Sequence, residues 1–159
     1  MKEDETKPKV THLEVREIQA PLVSALLKGF IEKIGQDMTF EIASKVIRED
    51  AILSGRKLAE AFSGNSLEVM LRIVQEVWAE NETMKVENIS IDENTLSFDV
   101  TRCRYAELYQ KLGIQNLGHL MSCSRDFPFM DGFNPKIRLN RTKTIMEGHA
   151  ICDFRYLME

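Results

Sequence analysis

A chain of 159 residues with 43% hydrophobic and 29% charged side chains is long enough to enclose one core and too apolar to be disordered or fibrous. Its formal net charge of -4 lacks the basic surplus that phosphate backbones select, which argues against a nucleic-acid binder. No apolar run nears the roughly 18 residues of a membrane span, the opening MKEDETKPKVTH has no apolar secretion core, and an odd cysteine count forbids complete pairing, so a cytoplasmic protein with free thiols or metal thiolates is expected.

The charged opening, which contains Pro8, predicts a frayed tail over 1–12 and leaves 13–159 as a single domain; His12 falls in that tail and receives no role. Leu13, Ile18, Leu22, Leu26, Phe30 and Ile34 recur near helical spacing. A proline in mid-helix removes a hydrogen bond and crowds the preceding turn, so Pro21 predicts a helix starting at Ala20 or Pro21 after a separate short element. Gly35 ends it. A second helix, from about Thr39 to Ala61, is expected to bury Phe40, Ile42, Val46, Ile47, Leu53, Leu58 and Phe62. Ser63, Gly64 and Asn65 interrupt the pattern, and Asn65 with Glu68 reads as a capping box for a third helix that buries Leu67, Met70, Leu71, Val74, Val77 and Trp78.

The apolar period then changes to two. ENISI and TLSFDV alternate around the turn Asp92, Glu93, Asn94, a hairpin that sends Leu96, Phe98 and Val100 to one face. RCRYAELYQKLG continues as a short helix closed by Gly113, and another covers about Leu117 to Arg125 before Pro128 disrupts it. FMDGFNP is read as a loop, followed by closing strands over about 136–146 and 150–157, with Glu147 and Gly148 in the turn between them. The order describes an α+β fold: N-terminal helices packed on a C-terminal antiparallel sheet of about four strands, with a helical excursion.

Residues four apart share a helix face, which sets His119 above Cys123 and Cys103 above Glu107, while Cys152 shares a strand face with Phe154 and Tyr156. Thiolate and imidazole are good zinc ligands, so Cys103, His119, Cys123 and Cys152 are a candidate set for zinc, with Glu107 or His149 as substitutes. Against zinc stand the lack of any CxxC or HxxxH and the readiness of cysteine to serve as buried filler. The same neighbourhood suits a catalytic pocket, with Cys103 and Cys152 as nucleophiles and His119, His149, Asp126 and Asp153 as bases. Arg102, Arg104, Arg125 and Arg141 are its candidate clamps for a carboxylate. The competing reading makes Arg125 and Asp126 anchors at a helix end and IRLNRTKT the wet face of a strand.

The succession TRCRYAELYQKLG, LMSCSRDFPFMDGFNPKI and RTKTIMEGHAICDFRY resembles the L-2-amino-thiazoline-4-carboxylic acid hydrolases, bacterial proteins associated with opening a thiazoline ring on the way to cysteine. The similarity runs from about Leu22 to Tyr156, with its distinctive part in 101–156. It implies a hydrolase acting on the C–N or C–S bond of a small heterocycle, and it marks Cys103, Cys123, Arg125, Asp126, Asn134, Cys152 and Asp153 as motif positions without assigning their roles. Hydrolysis at an electrophilic ring carbon needs activated water or a thiolate, a donor for the departing ring atom and a cation for the carboxylate. Cys103 and Cys152 are then expected as nucleophile or metal ligands, Asp126 as base or orienter, Asn134 as a positioning group, and Arg104 or Arg125 as the clamp.

The ending EGHAICDF is also similar to 4-vinyl-reductase-type domains, α+β modules that bind hydrophobic or aromatic ligands and sometimes hold zinc through cysteines. This second resemblance implies a noncatalytic small-molecule-binding or sensing domain. RTKTIM carries no cysteine where that family usually has one, so its zinc site would have to be rebuilt from Cys103 and Cys123. The expected partner is a small molecule, with no nucleic acid or membrane, and a homodimer as the commonest kind of assembly.

Overall fold

The computed structural model describes residues 10–159, so residues 1–9 of the expected tail lie outside the described residues. The last two residues of that tail instead open the first helix, α1 (His12–Ile34). Thr11 caps it: its hydroxyl accepts from the Glu14 amide at 3.2 Å while the Glu14 carboxylate accepts from the Thr11 amide at 2.7 Å. Fixed from that end, α1 runs unbroken through Pro21 rather than starting there. Pro21 is exposed, so water can satisfy the carbonyl that its missing amide leaves unpaired.

Gly35 alone joins α1 to α2 (Gln36–Ala61). Its φ of 83° is a backbone state that side chains with a Cβ resist, and it reverses the chain in one residue. The helix α3 (Leu67–Ile73) is capped by Ser66, whose hydroxyl accepts from the Val69 amide at 3.4 Å, so the cap lies one residue beyond the expected Asn65 and, with Val69 three residues on, the reciprocal half of the expected box is not formed. It runs on through a π turn, Val74–Trp78.

Strands β1 (Met84–Ile91) and β2 (Thr95–Cys103) form the expected hairpin. The Asp92 carboxylate accepts from the Asn94 and Thr95 amides and closes it. Two helices follow, α4 (Arg104–Lys111) and α5 (Gln115–Met121), then a 3-10 turn, Cys123–Arg125, and α6 (Asp126–Phe133). The segment from Phe129 to Phe133, expected as loop, is therefore helical. Pro128 falls in the first turn of α6, where its amide would find no intrahelical partner anyway.

The strands β3 (Ile137–Asn140) and β4 (Cys152–Met158) complete an antiparallel sheet of order β1-β2-β4-β3. β3 is far shorter than the expected 136–146. The Asp153 carboxylate accepts from the Thr142 amide at 2.9 Å, the Lys143 amide at 2.6 Å and the Thr142 hydroxyl at 2.6 Å, so a side chain takes the amides that a longer strand would have paired. The fold is thus α+β, with the sheet in the C-terminal half.

Pairing of Leu96 with Tyr156, Phe98 with Phe154 and Val100 with Cys152 puts all six on one buried sheet face, against Leu67, Met70 and Ile73 of α3 and Phe129 and Phe133 of α6. A second cluster sets Ala20 and Leu27 of α1 against Tyr109, Leu117 and Met121. Ile42, Val46 and Leu53, expected in the core, are exposed, because α2 buries its other side against α6.

That crossing is unusually close. A Cβ on Gly132 would lie 1.9 Å from the Ile52 carbonyl oxygen, and one on Gly55 would lie 2.2 Å from the Phe129 carbonyl oxygen. Backbone cannot swing aside as a flexible side chain would, so the helices themselves would have to part. Gly132→Ala and Gly55→Ala are each expected to destabilise the fold by about 3 kcal/mol, read from urea unfolding; a loss within about 0.5 kcal/mol, the usual range for an uninvolved surface site, would rule out the close crossing.

Candidate functional site

The crossing holds the start of α6 beside α2 and the sheet, where a cavity of ≈ 110 Å³ opens. An apolar cavity of about 150 Å³ can hold benzene, so this volume is on the scale of a single ring rather than a long chain. Three elements bring one cysteine each: Cys103 closes β2, Cys152 opens β4 and Cys123 starts the turn before α6. Aromatic wall comes from Trp78, Phe98, Phe129 and Phe154.

Charge enters through two pairs. Arg141 donates to the Asp126 carboxylate and, at 3.1 Å, to the Cys123 carbonyl, with its guanidinium 5.2 Å above the Phe127 ring and 5.3 Å above that of Phe154. Its side chain is 3% exposed, and its Nε has no hydrogen-bond partner among the described residues. Arg125 donates to Asp50 at 2.5 Å and to the Ser54 hydroxyl at 3.4 Å, fastening the turn before α6 to α2.

The remaining wall is the N-terminal turn of α1, where His12 and Arg16 stand four residues apart on one face. The Tyr105 hydroxyl lies 2.8 Å from His12 Nδ1 and donates to the Trp78 carbonyl at 3.3 Å. Arg16 donates to Gln19 at 3.2 Å, and no carboxylate among the described residues forms an ion pair with it.

Burial sets the protonation of this site. It lowers His12 to about 4, with Arg16 and Arg125 adding to the effect, so the imidazole is neutral at pH 7. It raises Cys103 to about 11, Cys123 well above the ordinary thiol value, and Cys152 in the same direction. The thiols are therefore protonated at neutral pH. Asp126 is raised to about 6 by burial, which outweighs the opposing pull of Arg141.

Of the residues singled out in the sequence, Cys103, Cys123, Arg125, Asp126, Arg141 and Cys152 line this one cavity. Others lie elsewhere. Arg104 donates to the Asn81 carbonyl at 3.4 Å, and Arg102 pairs with Glu107 at 2.7 Å. Asn134 ties the end of α6 to the start of α3, donating to the Asn65 carbonyl at 2.9 Å and accepting from the Lys136 amide at 3.0 Å. His119 sits in a separate cleft, 3.5 Å from Glu147; His149 is exposed, and Asp153 holds the loop after β3.

Among the described residues no group of three or more His, Cys, Asp and Glu side chains is placed to hold a metal ion, and His119 is outside the cavity that the cysteines share. His12, Arg16 and Tyr105 are among the wall residues to which the sequence assigned no role at the site. Thr11 and Glu14, a capping box in the sequence THLE, are the signal that would have placed His12 and Arg16 on a helix.

A family profile described as L-2-amino-thiazoline-4-carboxylic acid hydrolase matches residues 15–156. No curated protein gives a significant match. Among solved structures, the phenol-responsive sensory domain of the transcription activator PoxR, in complex with phenol, is similar at 12% identity and a TM-score of 0.54, over 86% of this chain and 73% of that one. A trafficking protein particle complex subunit 3 from Naegleria fowleri, covalently bound to palmitic acid, is similar at 12% identity and a TM-score of 0.53, over 91% of this chain and 95% of that one. At such identity the likeness is one of fold. No helix among the described residues is long and apolar enough to cross a membrane.

Two measurements check the electrostatics of the cavity. Asp126 holds its proton more tightly when folded, at about 6, than at the ordinary value of 3.8, so its contribution to stability is fully present below that ordinary value and is lost as pH rises through about 6. The stability of Asp126→Asn relative to wild type should therefore improve by about 2 kcal/mol from pH 4 to pH 7 in urea unfolding, and a pH-independent difference would contradict a raised carboxyl. Native Cys103 should react with iodoacetamide at pH 7.5 at least about 100-fold more slowly than in the unfolded chain, because its thiolate is scarce; equal rates would contradict a raised thiol.

Proposed function

The chain belongs to the L-2-amino-thiazoline-4-carboxylic acid hydrolase family, and on that premise we propose that it opens a small carboxylate-bearing heterocycle by hydrolysis, with 2-aminothiazoline-4-carboxylate as the first candidate substrate. The observation that carries the reading is Asp126, a carboxyl group raised to about 6 at the wall of a ring-sized cavity. Such a group is largely ionised at pH 7 yet still able to hold a proton, the balance wanted in a general base.

In this reading ionised Asp126 takes a proton from water as the water oxygen adds to the ring carbon between sulfur and nitrogen. The C–S or C–N bond then breaks and the departing ring atom takes a proton, leaving a carbamoyl derivative of cysteine. Arg141 orients the base through its hydrogen bond, and its unpaired Nε is a spare donor. Arg16, which forms no ion pair with a carboxylate among the described residues, is suited to receive that of the substrate, while Arg125 is already engaged by Asp50. Cys103 and Cys152, protonated at neutral pH, are assigned to the pocket wall as weak donors to the ring rather than as nucleophiles.

A second reading, a small-molecule-binding domain without turnover, is favoured by the four aromatic walls. The two fold neighbours carry phenol and palmitic acid, which adds support for a ligand-holding scaffold.

Ring opening of 2-aminothiazoline-4-carboxylate by purified protein decides between them. Turnover is expected, with kcat/KM rising as pH passes about 6, a loss of at least about 100-fold in Asp126→Asn, and a raised KM with kcat largely kept in Arg16→Met. Cys103→Ser and Cys152→Ser should stay within about tenfold of wild type. Thermal stabilisation by the compound without ring opening would favour the binding domain, and neither effect would dismiss this substrate.

A further inference from the structure

Helix α1 buries one side against α4 and α5, and α2 buries one side against α6. Their outer sides are not polar. Ile18 is 73% exposed, Leu22 67% and Val46 59%, and a further six large apolar side chains on these two helices stand about half exposed. Together they leave roughly 900 Å² of apolar surface open, beyond the about 300–600 Å² of the largest patch on an ordinary monomer and close to the about 800 Å² that each partner contributes to a stable interface.

This face carries both exposed side chains and a groove. Ile18 and Leu22, the two most exposed of these side chains, stand as a ridge along α1, and Leu26 lies where that ridge meets a groove. Beyond it, Phe30 and Ile34 of α1 face Ile42 and Val46 of α2 across a groove of ≈ 280 Å³ in which Thr39 is the one polar lining residue among the described residues. A two-fold axis that runs α1 antiparallel to its copy near Leu26 would seat the ridge of each chain in the groove of the other, an isologous contact in which one patch serves both sides. Gly29 adds no side chain along α1, and a Cβ there would meet nothing within 4 Å, so another helix has room to approach.

Charge separates this occupant from a lipid surface. Helices that lie on anionic membranes carry a surplus of Lys and Arg on their polar side. Residues 12–61 instead hold eight acidic and seven basic side chains, an even mixture that gives such a surface no pull. We propose that the outer face of α1 and α2 is the interface with a second copy of this chain, and that the protein is a two-fold dimer through it.

Light scattering on the eluting full-length chain at about 10 µM, the range of a moderately stable interface, tests this. Wild type is expected at twice the 18.3 kDa chain mass. Leu22→Glu and Val46→Glu, both at exposed positions and so compatible with folding, are expected at the single-chain mass with an unchanged far-ultraviolet circular dichroism spectrum. Leu22→Ser, which removes apolar area without adding charge, should weaken association about tenfold and decides the matter if either charged variant fails to fold. Ile89→Glu, at an exposed site on the edge strand β1, should leave the dimer intact. Single-chain mass for wild type overturns the proposal, whether or not it then sediments with phosphatidylserine-containing vesicles. Dimers that survive folded Leu22→Glu and Val46→Glu, or that dissociate in Ile89→Glu, overturn it as well.

Discussion

The architecture depends on a contact with no side chains in it. Where α2 crosses α6, Gly55 and Gly132 let carbonyl groups of one helix lie against the other at distances that a methyl group would forbid. This sets α6 in place to within the tolerance of backbone packing, and α6 begins with Asp126. The Arg125 to Asp50 ion pair fastens the same end of α6 to α2, so the position of the carboxylate is fixed by two independent contacts with one helix. Sites held by regular elements are better defined than sites on loops, and here the base, two of the cysteines and the aromatic wall all stand on or directly beside such elements.

The cavity combines a polar pair with apolar walls, and that combination explains its electrostatics. A carboxylate beside a guanidinium would normally sit below the ordinary range, yet Asp126 moves upward, because aromatic and thiol neighbours withhold the solvent that stabilises the ionised form. The same low polarity keeps the thiols protonated and His12 neutral. One environment therefore shifts acids and bases alike toward their uncharged forms, and Arg141, held over two rings, is the cation that keeps Asp126 ionisable near neutrality.

Much of the fold could be read in the sequence because its period was clear. The change from 3.6 to 2 after residue 86 gave the hairpin, and the alternation of Cys152, Phe154 and Tyr156 gave the buried face of β4. Pro21 and Pro128 misled because a proline is judged by its place in the helix, and those places depend on where each cap lies. Gly132 looked like a turn former, but its lack of a side chain serves helix packing, which only the partner helix reveals. At the site, the cysteines, Arg125 and Asp126 stood out by residue type, whereas His12 and Arg16 looked like tail until Thr11 and Glu14 were recognised as a cap. Asn134 had the right chemistry for a ligand contact and spends it on tying two helices together.

Helix α1 is a rod of 23 residues with the cavity wall at one end and Gly35 at the other. At 1.5 Å per residue it measures about 34 Å. On a lever arm of that length a tilt of about 5° at the glycine moves the far tip by about 3 Å, the width of a water molecule. The width of the opening beside His12 and Arg16 therefore rests on how firmly Ala20 and Leu27 hold the rod against α4 and α5, since a rotation that small at its far end would change it.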